Sequence, residues 1–222
     1  LKESKKMFKE VLKRNPNDLM SNFHCKFKFS AIQYNEEQID IERRNFNNDI
    51  LEIEKNKKLK FEQDIILTNN IFYLAYHNRY NDRLILENLS STLSKVDGFI
   101  NKSFNRKKHL KKIKNIHKIK LGICSEFLSE HTIGYLYANI IKDLSTNEFE
   151  IIIFKAANSK KDQVSMSIDL SAHKTIKLSN STRKSCEMIL KESIDILFYP
   201  DIGMSPQTYI LSLSRLALVQ VT

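Results

Sequence analysis

The chain has 222 residues, 41% of them hydrophobic, with four Gly, three Pro, no Trp and a formal net charge of +10. That length holds one large domain or a medium domain beside a smaller one, and no apolar run approaches the roughly 20 residues of a membrane-spanning helix. The basic balance raises a nucleic-acid reading through phosphate neutralisation, against which stands a Lys-, Asn- and Ile-rich bias spread over solvated surface, a matter of solubility rather than fold.

The segment from Leu1 to Arg14 is Lys-rich and amphipathic, unlike a secretory signal peptide. Met7, Phe8, Val11 and Leu12 share one helical face. Asn15-Pro16-Asn17-Asp18 ends that helix and caps the next, where Leu19, Phe23, Phe27 and Ala31 keep a helical spacing. Asn35 caps a predicted helix containing Ile39, Arg43, Phe46 and Ile50, and Lys55 to Lys60 reads as a loop. Asp82 opens another helix with Leu84, Ile85, Leu89 and Leu93. Arg106 to Lys114 is basic with little apolar content. The expected organisation is a helical segment over 1–105, a basic linker over 106–117 and an α/β region over 118–222.

In that last region the pattern alternates. Strands are predicted over Ile119–Cys124, Phe149–Phe154, Thr175–Leu178, Ile194–Tyr199 and Ala217–Val221. Helices are predicted over Ile133–Leu144, Thr182–Glu192 and Pro206–Ser214. Ile151, Ile152 and Ile153 in a row suit a sheet buried on both faces, and the alternation predicts a parallel, doubly wound sheet. Ligands of such sheets bind outside the carboxyl ends of the strands, which puts Ser125 to His131, Ser179 and Asp201 on one edge.

A dinucleotide enzyme places G-x-G-x-x-G after its first strand, so that backbone can approach a pyrophosphate. Only Gly122 and Gly134 stand near that position, so the usual phosphate cradle is lacking. Cys25, Cys124 and Cys186 are odd in number and far apart, without CxxC or Cys/His metal spacing, and read as free thiols of a reducing, cytoplasmic compartment. Ser125, Ser193 and Ser205 form no nucleophile elbow, which leaves a hydrolase without support.

Two segments carry a resemblance. "LGICSEFLSEHTIGYLYANIIKDLSTNEFEIIIF" resembles the start of the catalytic region of glycosyltransferase family 41, which includes the O-linked N-acetylglucosamine transferases, the SPINDLY proteins and the bacterial adhesin N-glucosyltransferases. "IDILFYPDIGMSPQTYILSLSRLALVQVT" resembles the same region further on. "YNEEQIDIERRNF" and "IFYLAYHNRYNDRLILENL" resemble the helical connector of bacterial members, and "ESKKMFKEVLKRNPND" resembles the second helix of a tetratricopeptide repeat with the turn after it. The resemblance implies the N-terminal Rossmann-like lobe of a two-lobed (GT-B) transferase, preceded by the end of a repeat array. It implies a UDP-sugar donor, no metal or other cofactor, and an acceptor protein or peptide. The first residue is Leu1 and the last residues read as a strand. The expectation is therefore a fragment, inactive alone, whose donor-binding lobe lies beyond it.

By the same resemblance, His131 matches a family histidine on the acceptor side of the active site, with one extra residue in the turn, Ser129 or Glu130, compared with animal-type members. A neutral imidazole there could accept or relay a hydroxyl proton; the other reading is a helix cap or surface histidine. His173 matches a second histidine near the donor sugar, or is an exposed residue at a strand start. Asp201 orients a ligand hydroxyl or caps the helix that starts near Pro206. His24, His77, His109 and His117 have no partner spacing and read as structural or surface groups. Two rivals to the transferase remain: a non-enzymatic helical interaction module, and a basic nucleic-acid-binding protein whose affinity would fall steeply with salt.

Overall fold

The computed structural model describes residues 2–60, 69–77, 80–96, 98, 118–144 and 146–222. The expected linker over 106–117, with His109 and His117, lies outside them. Contacts divide the chain into two compact units, Leu1–Ile100 and Asn101–Thr222.

The first unit is helical. α1 (Lys2–Arg14) and α2 (Leu19–Lys26) are joined by the Asn15–Asp18 turn. Asp18 caps α2, its carboxylate accepting from the Ser21 N–H at 2.7 Å. The Asn22 amide donates to Pro16 O at 3.0 Å, and Phe8 stacks on His24 at 4.4 Å. The helical spacing through Phe27 to Ala31 does not hold beyond Lys26. From there the chain runs extended, so that Phe27 and Phe29, two apart, both reach Phe46, at 5.0 and 4.6 Å between ring centroids. Ala31 is exposed. α3 (Glu36–Lys55) carries Phe46 and begins at Asn35, whose side chain accepts from the Gln38 N–H.

A 3₁₀ helix, Asn69–Tyr76, was not foreseen from the pattern. Its buried residues Ile71 and Leu74 are three apart, the spacing at which 3₁₀ side chains eclipse. α4 (Arg83–Ser94) starts where Asp82 predicts, but Asp82 makes no cap bond. Its carboxylate takes the Arg43 guanidinium at 2.5 Å. Arg43 also donates to Asn81 O at 3.2 Å and lies 4.7 Å over the Tyr80 ring. Arg43 thus sits on the inward helical stripe with its charge matched.

The second unit is a five-stranded, wholly parallel sheet. Its strands are β1 (Ile119–Ser125), β2 (Phe149–Lys155), β3 (Lys174–Lys177), β4 (Ile196–Phe198) and β5 (Val219–Val221), in the order β3-β2-β1-β4-β5. The helices between them are α5 (Thr132–Asp143), α6 (Gln163–Ser171), α7 (Thr182–Glu192) and α8 (Pro206–Ser212). Ile123, Ile151 and Ile153 face Ile141 of α5 and Ile168 of α6. On the opposite face Cys124 is 0% exposed, as is Cys186 of α7. Ile151, Ile152 and Ile153 are 0% exposed, because a sheet covered on both faces has no polar side to alternate with. Burial of each contributes about 1.5–3 kcal/mol. α6 escaped the sequence reading: "QVSMSIDLS" buries only Ser165 and Ile168 and shows no apolar stripe.

Candidate functional site

The strand order turns between β1 and β4: from β1 the chain builds outward to β2 and β3, then returns to β4 and β5. The two loops that leave the carboxyl ends at such a switch are where ligands of open sheets bind. Here those loops carry Ser125, Glu126 and His131 on one side and Asp201 and Ser205 on the other.

Asp201 follows β4 and is 1% exposed. Its Oδ2 accepts from the Ser125 hydroxyl at 3.0 Å and from the Glu126 N–H at 2.8 Å, joining the ends of β1 and β4. Its Oδ1 is buried without a partner in hydrogen-bonding geometry, and Thr208 beside it donates to Ser205 O at 3.2 Å. Burial pushes the Asp201 carboxyl above its ordinary range, partly offset by hydrogen bonds from Glu126, Ser125 and the Thr208 side chain. The cap expected of Asp201 on the helix near Pro206 is not made. Ser205 holds that N-cap position, and its hydroxyl turns to Glu126 Oε2 at 2.5 Å instead. Below Asp201, burial first and then the nearby Cys124, Cys186 and Asp201 push the Tyr199 phenol well up.

His131 is the N-cap of α5, half-buried, its ring stacked on Phe127 at 4.6 Å. The Ile133 N–H donates to His131 Nδ1 at 3.2 Å. With Nδ1 used as an acceptor, the neutral ring carries its proton on Nε2. His131 thus makes the helix cap that was the other reading of its position. The turn before it is tight because of Gly134: a Cβ there would stand 1.9 Å from Ser129 O. Asp162 fixes the turn from outside, accepting from the Glu130 N–H at 2.8 Å while capping α6 through the Ser165 N–H at 2.9 Å.

His173 lies elsewhere. It precedes β3 and pairs with Ile151, well before the carboxyl end at Lys155. The Ile151 N–H donates to His173 Nδ1 at 3.0 Å, so the exposed imidazole secures the sheet near its amino end. The structure therefore brings His131 and Asp201 to one edge and leaves His173 away from it. Sequence reading passed over Glu126 and the link from Ser205. The available signal was two adjacent polar residues, Ser125 and Glu126, where a buried strand ends. It also passed over Gln207 of α8, which accepts from the Ala157 N–H at 2.8 Å and donates to Ser179 O at 2.7 Å. His77 is buried and meets the edge of Phe29 at 5.2 Å. Among the described residues no group of three or more His, Cys, Asp or Glu could hold a metal ion, and no helix is long and apolar enough to cross a membrane.

No protein family matches the sequence, and no curated protein matches it. Among solved structures the chain is similar to a lysine-to-methionine mutant of the O-GlcNAc transferase of Thermobaculum terrenum, with a TM-score of 0.55 and 13% identity. The likeness covers 98% of this chain and 39% of that one. At this identity it is a likeness of fold: a helical unit followed by a Rossmann-like parallel sheet, as in an O-GlcNAc transferase.

Proposed function

We propose that this chain is the acceptor-side half of a UDP-sugar-dependent protein glycosyltransferase of the cytoplasm, with the donor diphosphate held by a second lobe outside residues 1–222. The observation that carries the reading is the joint likeness of the helical unit and the sheet to an O-GlcNAc transferase over 98% of the chain. The absence of a glycine-rich cradle after β1 agrees with a diphosphate bound elsewhere. Transfer is a displacement at the anomeric carbon by a side-chain hydroxyl or amide, with no metal, so the protein's share is positioning and stabilisation of the leaving group. His131 Nε2–H supplies a donor at the switch point, and Asp201 joins the two loops that meet there.

The test is sugar transfer by the polypeptide that carries this chain, from UDP-N-acetylglucosamine and UDP-glucose to Ser/Thr and Asn peptides. His131→Ala should lower turnover about 10²-fold, the scale of one positioned donor. It should also cost about 1 kcal/mol in stability through the lost cap. His131→Asn keeps a capping acceptor and should restore melting but not turnover. Near-normal turnover in His131→Ala would remove the catalytic role.

A further inference from the structure

Glu126 is the first residue past β1 and is half-buried at the switch point. Two contacts fix it, and a third holds Asp201, which makes one of them. Its N–H is held by Asp201 at 2.8 Å, its Oε2 by the Ser205 hydroxyl at 2.5 Å, and Asp201 in turn by Ser125 at 3.0 Å. Among the described residues no donor reaches Glu126 Oε1. A carboxylate ordered by a hydroxyl from the loop after β4, with one oxygen left over, is a preorganised acceptor. Its neighbour across the turn, His131, offers a donor from Nε2. What this edge can take is a group that donates, and an aliphatic hydroxyl both donates and accepts.

We propose that Glu126 is a substrate-binding residue whose Oε1 accepts the hydrogen of a ligand hydroxyl, with Ser205 as the residue that positions it. The nature of the ligand rests on the glycosyltransferase reading. The hydroxyl belongs either to the donor sugar or to the acceptor side chain, and the two sources part in the kinetics.

In the transfer assay Glu126→Gln should lower kcat/KM about tenfold or more, the scale of a hydrogen bond to a charged group, with melting unchanged because the amide oxygen still accepts from Ser205. A rise confined to the KM of the UDP-sugar assigns the sugar hydroxyl, and a rise confined to the KM of the peptide assigns the acceptor hydroxyl. Ser205→Ala should give a smaller loss that Ser205→Thr restores. A second measurement does not depend on turnover: the side-chain carboxyl carbon of Glu126, followed by NMR in the full chain, should shift on addition of N-acetylglucosamine or of a Ser-containing peptide. Glu126→Gln within twofold of wild type, activity and melting falling together, or a carboxyl signal unmoved by both probes each overturn the proposal. Wild-type protein that transfers no sugar, with the carboxyl shift present, removes the glycosyltransferase reading and leaves the hydroxyl site standing.

Discussion

The two ends of the parallel sheet use similar residues for opposite ends. Near the amino end, polar groups meet one another. Lys120 N–H donates to Asp195 Oδ2 at 2.8 Å, Val219 N–H to Asp195 O at 2.9 Å, and Lys174 pairs with Glu192 at 2.8 Å. His173 and Ile151 exchange two bonds, N–H to O at 2.9 Å and N–H to Nδ1 at 3.0 Å. At the carboxyl end a histidine and two acids again bond to backbone and hydroxyl groups, but there the acids' bonds join the loops that follow β1 and β4. Residue type therefore does not separate the two ends; what differs is whether the bonds tie strands to one another or tie the loops that leave them.

Substitutions at the two ends test that contrast, and the largest effect is expected at Gly134. Its missing Cβ lets α5 touch the turn at Ser129, with backbone on both sides of the contact. Gly134→Ala must displace one or the other and should cost about 3 kcal/mol, the upper range of overpacking, read as a lower denaturant midpoint at unchanged slope. An unchanged midpoint would mean that the turn is not held as described. Next comes His173→Ala, at about 1 kcal/mol for the acceptor withdrawn from the Ile151 N–H, with sugar transfer close to wild type. If transfer collapses while melting stays put, the division between the ends is wrong.

The smallest effect is a slope. Burial raises the Asp201 carboxyl above its ordinary value of 3.8, so the folded state holds that proton more tightly than the unfolded state does. Its contribution is fully present below 3.8 and is lost as pH rises through the raised folded value. Asp201→Asn keeps an acceptor for Ser125 and Glu126 and has no proton to lose, so stability against pH should be flatter than in wild type over that window. Urea midpoints measured across the acid range decide it, and parallel curves for the two proteins would count against a raised Asp201.

The sheet was largely legible because its signals are local: an isoleucine run for the central strand, caps at Asp18 and Asn35, and helix α7 to the residue. α6 was not legible, since its inner face is Ser165 and Ile168 and a helix held mainly by its cap leaves no apolar stripe. The end of α2 was misread because Phe23 and Phe27 continue its spacing while the backbone has already become extended to bring Phe29 onto Phe46. Of the site, His131 and Asp201 could be named from where they fall relative to strands. The bonds they make could not, because those depend on Ile133 and on Ser125 and Glu126, and the bonds that fix Asp201 and Glu126 cross the sheet between residues more than seventy positions apart.

Gln207 gives this edge a mechanical character. One amide, reaching out of α8, clasps the loop after β2 at Ala157 and the loop after β3 at Ser179, while Ser159 of the first loop reaches Ser125 O at 3.3 Å. Loops that end separate strands are thereby joined into one cooperative element, whose members open together or not at all. Opening one of these loops then breaks a bond made by another, and the turn that carries His131 is tied separately, to Asp162 and to Asp201.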